Sequence, residues 1–149
     1  MSLEKDVMTQ MKAAMKAKDA AALEALRAVK SSILLAKTDN NQQDLSEEQE
    51  IKIVQKLVKQ RKDSAVLYRE QDRVDLAEPE EKQAEVIAQF LPAQLSEAEI
   101  EAKVEEIISK TGAEGMKDMG KVMGLASQEL AGKADGKTIS MVVKKKLSN

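Results

Sequence analysis

The sequence predicts an all-α protein of two small helical lobes, residues 1–91 and 92–149, and three observations carry that prediction. Apolar residues recur at three- and four-residue spacing along the 149-residue chain, and the alternation of a half-buried strand is missing. Capping boxes of the form Ser-x-x-Gln/Glu open successive segments. One proline break, Leu91-Pro92-Ala93-Gln94, interrupts the pattern.

Each element follows from local chemistry. Leu3, Val7, Met11 and Ala14 share a face and predict a first helix to Lys18. Asp19 is the expected N-cap of a second, whose Leu23, Leu26, Val29 and Ile33 keep the period to about Ala36. The polar run Thr38 to Gln43 reads as a loop. Ser46 and Gln49 form a capping box for a long third helix reaching about Glu70. Asp75 and Glu78 suggest a similar box for a fourth, with Pro79 in its first turn and Leu76, Val86, Ile87 and Phe90 facing inward.

After the proline break, Ser96 and Glu99 cap a fifth helix, Leu95 is placed to pack on Ile100, and Ile100, Val104, Ile107 and Ile108 point inward. Gly112 ends it as a left-handed cap. A sixth helix starts near Lys117 and carries Val122, Met123, Leu125, Ala126 and Leu130, with Gly132 and Gly136 punctuating its end. The last holds Ile139, Val142, Val143 and Leu147. The C-terminal lobe is therefore a three-helix module, and the N-terminal lobe a helical bundle.

Composition removes much chemistry. Cys, His and Trp are absent and only Tyr68 and Phe90 are aromatic, so there is no disulfide, ordinary zinc site, thiol nucleophile or imidazole base. No metal or cofactor is called for, and no run approaches the ~20 apolar residues of a membrane span. Glu4, Lys5 and Asp6 stand where a signal peptide would be apolar, so a cytoplasmic location is expected.

The formal net charge is −2, yet charge is uneven. From Lys52 to Arg73, seven basic residues face three acidic ones, a net +4; from Gly115 to Asn149 the balance is again seven to three. On the third helix, Lys52, Lys56, Lys59, Lys62, Arg69 and Arg73 form an outer stripe, for which solubility is the plain explanation. Arg61 falls inside the apolar arc of Ile51, Ile53, Val54, Leu57, Val58, Ala65 and Tyr68, so it is expected to be buried and paired with a carboxylate of another helix.

Two features have plainer readings than they first suggest. Gly115 to Lys121 fits seven positions of a phosphate-binding P-loop, but Val122 replaces the Ser or Thr and a helix precedes it instead of a strand. Gly120 and Gly124, four apart, then read as a face that another helix approaches. The eight methionines read as core filling, the alternative being a groove for a partner helix, which would need their shared face exposed.

Lys59-Gln60-Arg61-Lys62-Asp63-Ser64, Asp72-Arg73-Val74-Asp75-Leu76, Phe90-Leu91-Pro92-Ala93-Gln94-Leu95-Ser96, Met116 to Met123 and Ala134-Asp135-Gly136-Lys137 together resemble the YqeY family in order and spacing over nearly the whole chain. The pattern departs at Asp72, where glycine is expected, and at Pro79, where a charged residue is usual. The resemblance implies a C-terminal lobe similar to the tail of the GatB subunit of tRNA-dependent amidotransferases, a tRNA-contacting helical module. It places Lys117, Lys121, Lys133, Lys137 and Lys144 among candidate tRNA contacts.

The amidotransferase's chemistry belongs to other domains, which this chain does not resemble. The expected function is a non-catalytic accessory module binding tRNA, an amidotransferase or an aminoacyl-tRNA synthetase, by shape and phosphate contacts. The alternatives are participation in glutamine-dependent carbon–nitrogen ligation on misacylated tRNA, and a helical protein-interaction module.

Overall fold

The computed structural model describes residues 2–41 and 43–148. Met1 of the methionine set and Gln42 of the expected loop lie outside them. Seven α-helices and no strand occur among the described residues: α1 (Leu3–Ala17), α2 (Ala20–Asp39), α3 (Glu47–Glu70), α4 (Val74–Ala88), α5 (Glu97–Thr111), α6 (Met119–Glu129) and α7 (Gly136–Ser148). A 3-10 turn, Met116–Asp118, precedes α6. The helices fall into two compact units, Met1–Leu91 and Pro92–Asn149.

In the first unit α3 and α4 form a hairpin, α2 packs on both, and α1 packs on α2. Val7, Leu26, Val29, Ile33, Val54, Leu57 and Ile87 make the core. Asp19 caps α2 by accepting from Ala22 N–H at 3.1 Å. Helix α2 outlasts the period read from its apolar residues: Thr38 and Asp39 are helical, and Thr38 Oγ1 donates to Leu34 O at 2.9 Å, keeping the hydroxyl from competing with the helix. Ser46 and Gln49 form the reciprocal box that opens α3.

The start of α4 departs from expectation. No side chain caps it; Arg73 holds the N-cap position, and Asp75 is drawn instead into a two-bond pair with the Arg73 guanidinium at 3.0 and 3.1 Å. Pro79 is the sixth helical residue, beyond the first turn, so the Asp75 carbonyl loses its usual intrahelical donor. Ala77 takes the fully buried position, while Leu76 is exposed. The α3–α4 turn is a Schellman motif: Arg73 N–H donates to Tyr68 O at 2.8 Å and Asp72 N–H to Arg69 O at 3.1 Å. Asp72 sits at φ 58°, the left-handed region that glycine enters freely.

In the second unit, the Ser96–Glu99 box opens α5 and Gly112, at φ 66°, ends it. Ile100, Val104, Ile107, Val122, Ala126, Leu130, Ile139, Val142 and Val143 form the core, with Leu95 and Ile108 packed on it. Asp135 Oδ1 accepts Thr138 N–H at 2.6 Å and so caps α7. Gly136 is the first residue of that helix. Leu95 N–H donates to Lys133 O at 2.9 Å, tying the entry of α5 to the α6–α7 turn.

Candidate nucleic-acid interface

Helix α7 carries lysines of two kinds. Lys145 pairs with Glu101 at 3.1 Å and Lys146 with Glu105 at 2.6 Å, both across to α5. Lys145 holds the Glu101 carboxyl below its usual range, and the bond to Glu105 raises Lys146. Lys137 and Lys144 are exposed and make no ion pair among the described residues. They lie seven residues apart, two helical turns or about 10 Å, on one stripe. A step of about 100° around the helix separates Lys144 from Lys145, which turns that stripe away from the α5 carboxylates.

Lys117, Lys121 and Lys133 are likewise exposed and without an ion pair among the described residues. Ser148 Oγ reaches Met116 Sδ at 3.6 Å, so the 3-10 turn bearing Lys117 meets the end of α7 that bears Lys144. Lys133 lies in the turn before α7, at the end nearer Lys137, and Lys121 stands on α6, one turn beyond Lys117. Two of the segment's three acids are engaged in the backbone, Asp118 accepting from Glu114 N–H and Asp135 capping α7, while Glu129 at the end of α6 is exposed. Five lysines on the α6–α7 hairpin and its turns are thus exposed with no ion pair among the described residues.

Of the six cations on the α3 stripe four are paired, and Lys56 and Lys62 are exposed with no ion pair among the described residues. Lys52 pairs with Glu48, Lys59 with Asp63, Arg69 with Glu81 and Arg73 with Asp75. Three of those four acids lie outside the Lys52–Arg73 window or on α4, so a local charge count could not register the compensation. Arg69 lowers the Glu81 carboxyl through its hydrogen bond, and Arg73 lowers Asp75 likewise.

Arg61 has a different partner from the carboxylate expected. Its Nε donates to Gln83 Oε1 at 3.0 Å and its Nη1 to Leu57 O at 3.1 Å, and the residue is half-buried. The half-buried guanidinium is held by a neutral amide and a backbone carbonyl in place of a carboxylate. Gln83, itself buried, had no sequence signal beyond its place on α4.

Two other expectations are corrected. A Cβ built at Gly120 or Gly124 meets nothing within 4 Å, so among the described residues no other helix of the second unit approaches there. Met8, Met15, Met116 and Met141 are exposed and so do not fill a core, whereas Met11, Met119 and Met123 are half-buried and pack against the two cores as expected. The P-loop-like segment opens on Gly115 at φ 74° and runs into the 3-10 turn, with α5 before it. Among the described residues, no group of three or more acids could hold a metal ion, and no helix is long and apolar enough to cross a membrane.

Comparison with known proteins fits this architecture. A stretch of 73 residues is 37% identical to the E subunit of glutamyl-tRNA(Gln) amidotransferase from Thermococcus gammatolerans, covering 46% of this chain and 12% of that protein. The counterpart from Thermococcus sibiricus is 44% identical over 57 residues, 36% of this chain and 9% of that one. Altered inheritance of mitochondria protein 41 of Lachancea thermotolerans is 38% identical over 112 residues, 73% of this chain and 57% of its own. The chain thus spans a small part of the two amidotransferase proteins and somewhat over half of the mitochondrial protein. The sequence profile described as Yqey-like protein matches residues 4–147, and the chain belongs to the YqeY family.

Proposed function

We propose that the protein is a non-catalytic accessory module that binds tRNA through its C-terminal unit. One observation carries the reading: Lys117, Lys121, Lys133, Lys137 and Lys144 are exposed with no carboxylate partner among the described residues, while Lys145 and Lys146 are paired. Lysines in that state neutralise phosphates and release counterions without first breaking an internal bond. Two aromatics give little base stacking, so recognition is by backbone shape and not by sequence. The reading takes the cytoplasm as the compartment.

A second reading, attachment to an amidotransferase that works on tRNA, is supported by the identity with the two Thermococcus amidotransferase proteins. In that form the module helps position tRNA, and the glutamine-dependent carbon–nitrogen ligation belongs to the larger assembly. Fluorescence anisotropy with labelled tRNA, single-stranded RNA and duplex DNA of equal charge tests the first reading. Preference for folded tRNA is expected. Equal binding to all three would reduce it to nonspecific electrostatics, and capture of an amidotransferase without tRNA affinity would favour the second.

A further inference from the structure

Helix α1 carries Met8, Met11 and Met15 at i, i+3 and i+7, an apolar line about 10 Å long, with Met8 and Met15 exposed. Beside it run Lys5, Lys12 and Lys16, all exposed and with no ion pair among the described residues. Met8 also borders a groove of about 770 Å³ between α1, the end of α2, the α2–α3 connection and the start of α3, lined in part by Ile33 and Leu45. Glu4 and Asp44 both pair with Lys37, and Glu50 Oε2 accepts Leu3 N–H at 2.9 Å. Lys5 and Lys12 line the groove and make no ion pair among the described residues.

We infer that this face of α1 docks an acidic amphipathic helix of another protein, its aliphatic side chains against the methionine line and groove, its carboxylates over the lysines. The methionines form a line that continues past the groove, which suits anchors at i, i+3, i+4 and i+7 and not a compact small molecule. Methionine adapts to aliphatic ridges of varied shape. Charge decides the sign of the partner: an isologous contact with a second copy would set these lysines near their equivalents. An anionic bilayer would satisfy the lysines, but a flat surface leaves the concave groove unfilled.

The test uses the full chain and a fluorescent peptide of about 18 residues, with leucine at i, i+3, i+4 and i+7 and glutamate on its flanks, alongside a lysine-flanked counterpart. Saturable binding of the glutamate peptide alone is expected, weakened about tenfold or more by Met8→Glu and several-fold by Lys12→Glu. Both positions are exposed, and circular dichroism of each variant checks that the helices remain. Equal binding of both peptides, or indifference to both substitutions in folded protein, would overturn the inference. So would sedimentation with phosphatidylglycerol vesicles, or a doubled mass, that Met8→Glu abolishes in the absence of peptide binding. The inference stands apart from tRNA binding, which Met8→Glu is expected to leave unchanged.

Discussion

Arg61 Nε donates to Gln83 Oε1 at 3.0 Å, a bond between the middle of α3 and the buried side of α4. Removing the arginine strands a buried amide oxygen, which costs about 1–3 kcal/mol, less than the roughly 3–5 kcal/mol of a broken buried ion pair. Urea denaturation of Arg61→Ala is expected to fall in the lower range. A loss below about 0.5 kcal/mol, the range of surface substitutions, would mean that the bond does not hold the hairpin.

Asp72 occupies a left-handed position that glycine fills without strain. Asp72→Gly should therefore stabilise the protein by about 0.5–1 kcal/mol, despite the added freedom of the unfolded chain. Destabilisation in thermal unfolding would show that the aspartate side chain supports the turn.

Gly120 lies inside α6 with open space around it. Gly120→Ala is expected to stabilise the second unit by up to about 1 kcal/mol, because alanine is the better helix former and its methyl group meets nothing. A loss of stability would place another element against that face.

Glu81 titrates below the usual glutamate value of 4.5 because the Arg69 guanidinium bonds to its carboxylate. A folded value lowered in this way contributes stability that is full above the unfolded pKa and is lost as pH falls through the folded one. NMR titration of the Glu81 carboxyl should show a depressed midpoint that Arg69→Ala returns toward 4.5. An unchanged midpoint in the variant would mean that the pair does not persist in solution.

What the sequence revealed depended on range. The Ser46–Gln49 and Ser96–Glu99 boxes span three residues, so the local pattern contains the whole interaction. The helical period likewise identified Val54, Leu57, Val104 and Val143 as buried. Gln83, 22 residues from Arg61, and Glu101, 44 residues from Lys145, left no local trace. Local pattern also misled where two bonding options competed: Asp75 could cap α4 or pair with Arg73, and the guanidinium won. Between Gly115 and Asn149 a charge count could find seven lysines, but separating the two paired from the five with no ion pair among the described residues required α5 to be seen beside α7.

The central claim is that the unpaired lysines of the C-terminal unit meet tRNA phosphates, and a salt series measures it most directly. Affinity of the full chain for tRNA should fall with salt at a logarithmic slope of about −3 to −4 if four or five phosphates are engaged. Lys137→Ala and Lys144→Ala should each reduce the magnitude of that slope by roughly one, while Lys145→Ala, whose ammonium is held by Glu101, should change it much less. No binding at low salt, or a slope that Lys145→Ala reduces as much as Lys137→Ala and Lys144→Ala do, would contradict the account.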